Sequence, residues 1–132
     1  MTIDRRSFVA GTAAIGALPS RATASTLTDH HMYGLISKIA AQPGQRDMLA
    51  QLLIRASARP PLPGCLSYIV AIDSSDPDLI WVTEAWQSKE AHAASLSLPS
   101  VKAAMSAGGA LIAQFVRVAE TMPVGGTGLA AF

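Results

Sequence analysis

The chain has 132 residues, of which half are hydrophobic and only 14% are charged. Because an average soluble protein has about 25% charged residues, this composition excludes a disordered, highly charged chain. The length indicates a single domain, and a domain this small often gains stability by forming oligomers. The formal net charge of +1 is too small for a nucleic-acid-binding surface. The single cysteine excludes an intrachain disulfide and a zinc site with several cysteines.

The first 24 residues have the layout of an export signal. The adjacent residues Arg5 and Arg6 precede an apolar run from Phe8 to Leu18, and a small-x-small cleavage site follows at 22–24. The apolar run of 11 residues is shorter than the roughly 20 that span a bilayer. The arginine pair resembles a bacterial twin-arginine signal, which predicts a periplasmic or secreted protein. The alternatives are a membrane-anchored N-terminal helix and a chance pattern in an alanine-rich start.

Cleavage after Ala24 would leave 108 residues with seven basic and eight acidic side chains. The positive charge of the full chain therefore belongs to the signal. For the remaining part we expect no nucleic-acid partner and no membrane association. We predict one domain over residues 25–124, followed by a flexible, glycine-rich tail over 125–132.

Hydrophobic periodicity predicts a β-α-β-β-α-β unit. A loosely alternating strand over 31–40 precedes a Pro-Gly break and an amphipathic helix over 45–58, which the prolines of the next segment end. Residues 65–73 and 79–86 are expected to form two strands of an antiparallel hairpin around a turn at 74–78.

The second half of the unit is predicted to be helical before its last strand. Ser88 is a suitable N-cap for a short helix that begins with Glu90. Pro99 interrupts this helix, and a second helical segment extends as far as Ile112, weakened by two adjacent glycines. The last strand is expected over 116–122.

Several short motifs occur in a fixed order between the predicted elements. They are Ala-Gln-Pro-Gly-Gln at 41–45, Pro-Gly-Cys-Leu-Ser-Tyr at 63–68, Asp-Pro at 76–77, Glu-x-Trp at 84–86, Ser-Lys-Glu-Ala at 88–91 and Pro99. In this order and spacing, the chain resembles the antibiotic biosynthesis monooxygenase family over residues 31–120, and within it the quinol monooxygenases. The resemblance implies a ferredoxin-like α+β fold whose antiparallel sheet pairs with a second copy in a dimeric α/β barrel. It also implies a reaction that needs no flavin, haem or metal.

The chain departs from the family pattern at two positions. Relatives commonly have a histidine five residues after the glutamate that begins the short helix, where this chain has Ser95. A second histidine often follows the proline, where this chain has Ser100. His92, three residues before Ser95, is the histidine nearest to the family position.

The resemblance implies a cofactor-independent monooxygenase that oxidises a quinol or phenolic aromatic with O₂. The substrate then supplies the electrons, and the protein supplies an apolar pocket, a base and donors that stabilise an anion. His92 is a candidate base, with a solvated helix histidine as the alternative. Glu84 lies on an otherwise apolar strand face, where a carboxylate must be paired or neutral. It is a second catalytic candidate, with a structural ion pair or dimer contact as the alternative.

Three further residues are candidates for binding the substrate. Tyr68 can donate its hydroxyl and Trp86 can stack on an aromatic ring, with core packing as the alternative for both. His31 is the third candidate, with an exposed chain terminus as the alternative. We expect the pocket between the open face of the sheet and the helix that starts at Ser88. The sequence contains no metal-binding or nucleotide-binding motif.

Two other functions are alternatives to the oxygenase. An exported dimeric barrel can bind a small hydrophobic ligand in the same cavity without catalysis, and only an activity measurement separates it from an enzyme. A haem-degrading relative of the same fold is disfavoured. The resemblance implies that the active site of such a relative uses an asparagine, and this chain has none.

Overall fold

The structure is a computed structural model that describes residues 31–58 and 60–129. The predicted export signal, with its cleavage site, lies outside the described residues. Four strands and three helices are present: β1 (Tyr33–Ala41), α1 (Arg46–Ala58), β2 (Cys65–Ile72), β3 (Leu79–Trp86), α2 (Lys89–Ser95), α3 (Pro99–Gly109) and β4 (Ile112–Thr121). Among them, no helix is long and apolar enough to cross a bilayer.

The four strands form one antiparallel sheet in the order β2-β3-β1-β4. The hairpin of β2 and β3 is therefore confirmed, as is the ferredoxin-like α+β fold. Since β1 and β3 occupy the centre of the sheet, their side chains have neighbours on both sides. Alternation along β3 directs Ile80, Val82, Glu84 and Trp86 to one face of the sheet, which we call the inner face.

The inner face forms the core together with the helices. Leu49 of α1 is fully buried against Ile39 of β1 and against Ile80 and Val82 of β3. A second cluster lies at the other end of the sheet, where the start of β1 is next to the end of β3. It combines Leu62, in the segment after α1, with Tyr33, Leu35 and Trp86. Fully burying a side chain of this size contributes about 1.5–3 kcal/mol, so these clusters fix α1 and the loop after it on the sheet.

The last strand begins four residues earlier than the sequence predicts. Helix α3 ends at Gly109, and Ile112 already pairs with Ala41 of β1. The prediction of helix as far as Ile112 was wrong, because the edge of β1 offers backbone partners to this segment. The first strand also differs slightly: it starts at Tyr33, which pairs with Trp86.

A bulge interrupts the pairing of β4 with β1. Ile36 pairs with Ala119 whereas Ser37 pairs with Arg117, so that Val118 is an extra residue in β4. In a regular strand, residues three apart point to opposite faces. The extra residue places Arg117 and Glu120 on the same, inner face, opposite Ser37 and Leu35.

We predict that Gly34→Ala lowers the free energy of unfolding by about 1–3 kcal/mol, the usual cost of overpacking. A Cβ at Gly34 would overlap the side-chain oxygen of Thr121 and press against the ring of Pro123. Gly109→Ala is the matched control, since no atom lies within 4 Å of a Cβ placed there. Urea unfolding of both variants tests this, and a Gly34→Ala protein as stable as the wild type would contradict it.

Candidate active site

The helices and the inner face of the sheet enclose an open cavity of about 430 Å³. Most of its lining is aliphatic, from β1, β3 and all three helices. The polar and charged side chains in the lining include Ser37, Tyr68, Glu84, His92, Ser95 and Arg117. The cavity lies on the helix-covered side of the sheet, and not on the open side where the sequence led us to expect it. An apolar cavity with a few polar groups is the usual form of a small-molecule site.

Glu84 is the buried acid of this cavity. It faces inward between Leu35 of β1 and Tyr68 of β2, and only 12% of its side chain is exposed. The indole Nε1 of Trp86 donates a hydrogen bond of 2.8 Å to its Oε2 atom. Burial raises the pKa of the Glu84 carboxyl, while this hydrogen bond and the positive charge of Arg117 oppose the rise. The local environment therefore favours a proton on Glu84 more than water does.

His92 lies next to Glu84 at the start of the second half of α2. Its Nε2 atom is 3.9 Å from Glu84 Oε2, which is too long for a hydrogen bond. Its ring is 5.3 Å from the Trp86 ring and 5.5 Å from the Tyr33 ring, measured between centroids. Burial lowers the pKa of His92 and the charge of Arg117 lowers it further, with Glu120 acting in the opposite direction. These effects favour the neutral imidazole, the form that can accept a proton, over the charged one.

The structure brings four of the five predicted site residues together. Tyr68, Glu84, Trp86 and His92 all line the cavity, whereas His31 lies outside its lining. The hydroxyl of Tyr68 has no hydrogen-bond partner among the described residues. Burial raises the pKa of this phenol above its ordinary value, and the charge of Glu84 raises it further. Tyr68 thus keeps its proton and can donate it to an oxygen in the cavity.

Ser95, where the family resemblance predicts a histidine, is buried against the same cavity. Its hydroxyl donates a hydrogen bond of 2.6 Å to the carbonyl oxygen of His92, one turn earlier in α2. Residues three apart share one face of a helix. His92 and Ser95 therefore both line the cavity, and the imidazole of His92 lies one turn before the position at which the resemblance predicts one.

A cluster of charged residues around Glu120, at the edge of the cavity, was not predicted from the sequence. Glu120 accepts hydrogen bonds from the Tyr33 hydroxyl (2.9 Å) and from Arg117 (3.0 Å), and Lys89 Nζ lies 3.6 Å from it. The bond from Tyr33 is the main reason that the pKa of Glu120 is lowered. Because the last strand was predicted to begin at 116 and without a bulge, alternation could not reveal that Arg117 and Glu120 share a face.

These groups can carry out proton transfer in an apolar site. A neutral imidazole and a buried carboxyl lie beside each other, a phenol donor lies on the adjacent strand, and a guanidinium lies on the far side of β1. Such convergence of groups with shifted pKa values is typical of catalytic sites. The described residues include no group of three or more histidine, cysteine, aspartate or glutamate side chains arranged to hold a metal ion.

We predict that His92 titrates with a midpoint below its ordinary pKa of 6.5. The folded protein then binds this proton more weakly than the unfolded chain, so acidification through pH 6.5 lowers the free energy of unfolding. Glu84 acts oppositely, since a raised pKa costs stability as the pH rises above its ordinary value. An NMR titration measures the midpoint, and His92→Gln identifies the resonance. A midpoint at or above 6.5 would mean that an ion pair with Glu84 outweighs burial.

Comparison with known proteins agrees with this fold. The profile of the family described as antibiotic biosynthesis monooxygenase matches residues 32–107, which is more than half of the chain. A solved structure from Chloroflexus aurantiacus is 53% identical, with a TM-score of 0.68, and the match covers 75% of this chain and 99% of that one. No curated protein sequence matches the chain.

Two more distant structures show the same fold. One from Deinococcus radiodurans is 28% identical, with a TM-score of 0.59 and coverage of 70% of this chain and 91% of that one. One from Caulobacter crescentus is 22% identical, with a TM-score of 0.66 and coverage of 73% and 92%. All three relatives are described as "putative antibiotic biosynthesis monooxygenase", which supports a general monooxygenase-like function. On the family match and the Chloroflexus relative, the chain belongs to the antibiotic biosynthesis monooxygenase family.

Proposed function

We propose that this protein is a monooxygenase that oxidises a quinol or a related electron-rich phenol with O₂, without a flavin, haem or metal. The observation that supports it most is the placement of Glu84 3.9 Å from His92 inside an apolar cavity, where burial favours the neutral imidazole. That the reaction needs no cofactor is proposed from the sequence resemblance alone. The family match supports the broader class of reaction.

The reaction balances for a hydroquinone without an outside reductant. A base removes a hydroxyl proton, and the resulting anion passes one electron to O₂. The two radicals combine and form a bond between a ring carbon and oxygen. The O–O bond then breaks, one oxygen stays on the ring and the other leaves as water. The hydroquinone supplies all four electrons and becomes a hydroxyquinone.

The cavity offers a residue for each proton movement in this scheme. His92 is the group that accepts the hydroxyl proton, because burial keeps its imidazole neutral. Glu84, fixed by Trp86, positions or relays that proton over 3.9 Å. Tyr68 donates to the oxygen that becomes negative. The aliphatic lining lowers the local dielectric, which strengthens each of these interactions.

We expect purified protein, freed of metals by a chelator, to consume O₂ with at least one member of a panel of hydroquinones and naphthohydroquinones. His92→Ala and Glu84→Gln should each lower the rate by about 10²–10⁴, the usual contribution of a general acid or base. Glu90→Gln is the matched control, because Glu90 is exposed on the same helix and lies outside the cavity. The spontaneous oxidation of each hydroquinone is subtracted.

The outcomes separate the candidate functions. Wild-type rates in both single variants would remove His92 and Glu84 from the mechanism. A Glu84→Gln protein that is less stable but turns over normally would give Glu84 a structural role only. A protein that binds hydroquinones and consumes no O₂ would be a ligand-binding barrel.

We also propose that two copies associate through the open face of the sheet. Ile69 on this face is 56% exposed and Val116 is 39% exposed, and soluble monomers rarely leave a large apolar face uncovered. Sedimentation should give a particle mass twice the mass of the single chain, with the chain mass measured on the same sample.

The assembly proposal has a matched pair of variants. Ile69→Lys should yield a monomer, because it places a charge in the interface. Ile54→Lys should not, although Ile54 is 50% exposed, because it lies on α1 and away from the open face. A monomeric wild type would refute the dimer.

A further inference from the structure

We propose that Arg117 is an anion-binding group of the cavity and that the preferred ligand is an aromatic quinol or phenol that carries a carboxylate. The inference deepens the proposed function by naming the substrate class. The carboxylate part depends only on binding, so it can be tested without any turnover.

The fold directs Arg117 into the cavity in a specific way. Arg117 follows Phe115 by two residues on the inner face, where it lies opposite Ser37 and lines the cavity. The bulge at Val118 comes directly after it, and bulges next to functional sites often redirect a side chain. The same bulge brings Glu120 to the inner face, where it accepts a hydrogen bond from the Arg117 guanidinium and limits its motion.

Among the described residues, Arg117 shares its one ion-pair partner with a second cation. Arg117 and Lys89 are two cations that share one carboxylate, Glu120. The other acid of the cavity, Glu84, is buried and bonded to the indole of Trp86. Arg117 makes no other hydrogen bond within the described part of the chain, and its side chain is 49% exposed. Most of its N–H donors are therefore available to a ligand.

The spacing fits a substrate with a polar group at each end of a ring. Glu84 on β3 and Arg117 on β4 flank the central strand β1. Neighbouring strands are about 4.8 Å apart, and Glu84 lies opposite Leu35 whereas Arg117 lies opposite Ser37, two residues further along β1. The two residues are therefore roughly 12 Å apart on the sheet before their side chains reach inward. Between them, β1 presents Leu35 and the small Ser37. An aromatic ring seated there directs a hydroxyl to Glu84 and His92 and a carboxylate to Arg117.

Arg117 suits a carboxylate better than a lysine would. A guanidinium forms two parallel hydrogen bonds to a carboxylate, which fixes orientation as well as charge. Every other side chain that lines the cavity is uncharged or acidic at neutral pH, apart from His92, whose protonation burial opposes. A negatively charged end of a ligand therefore has one favoured position.

The test compares two ligands that differ only in charge. Calorimetry under anaerobic conditions at pH 7.5 measures the affinity of the wild-type protein for 2,5-dihydroxybenzoate and for its neutral amide, 2,5-dihydroxybenzamide. We expect the acid to bind at least about tenfold more tightly. Arg117→Gln should bring the two affinities together, and Arg117→Lys should keep part of the difference. Arg55→Gln should leave it unchanged, because Arg55 bonds only to Gln51 on the outer side of α1.

Equal affinity of the wild type for the acid and the amide would overturn the inference, and so would an unchanged preference in Arg117→Gln. If Arg117→Gln does not fold, the wild-type comparison and Arg117→Lys still decide the matter. Failure of the oxygenase proposal gives a different result. A preference for the acid that depends on Arg117, with no O₂ uptake, supports this inference and refutes the reaction. Uptake with neutral hydroquinone and no preference for the acid does the reverse.

Discussion

A carboxyl group on an apolar sheet face needs a hydrogen-bond partner, and Glu84 finds one in the indole of Trp86 two residues later on the same strand. Trp86 is almost completely buried between β1 and the segment that contains Leu62, so the donor cannot move away. The geometry around Glu84 follows from this contact. His92 packs edge-on against the same indole, and the cavity opens above the carboxyl.

Desolvation has opposite effects on the two groups of this pair. It raises the pKa of the acid and lowers the pKa of the base, so both tend toward their neutral forms. Arg117 contributes a positive charge that acts on both and makes the shift of Glu84 smaller and the shift of His92 larger. A neutral imidazole beside a carboxyl with a raised pKa, with a cation nearby, is a suitable set of groups for removing a proton from a phenol inside an apolar site.

The sequence predicted the fold well because its elements rest on local signals. Alternation along β3 put Glu84 and Trp86 on one face, and Ser88 does accept the capping bond from the backbone of Ala91. The side of the sheet that holds the cavity could not be predicted, since alternation assigns faces without saying which one the helices cover. The pair of Arg117 and Glu120 was missed because their common face depends on a bulge, which only the pairing of β4 with β1 reveals. The export signal and the dimer stay predictions.

The proposed reaction requires that a quinol bind in the cavity on the helix-covered side of the sheet, with a hydroxyl beside Glu84 and His92. A crystal structure of the protein grown or soaked anaerobically with a hydroquinone tests this directly. We expect the ring above Leu35 and Ser37, with one hydroxyl oxygen within hydrogen-bonding distance of His92 Nε2 or of a Glu84 oxygen. A ring bound on the open face of the sheet, or in the cavity with both hydroxyls turned away from Glu84 and His92, would contradict it.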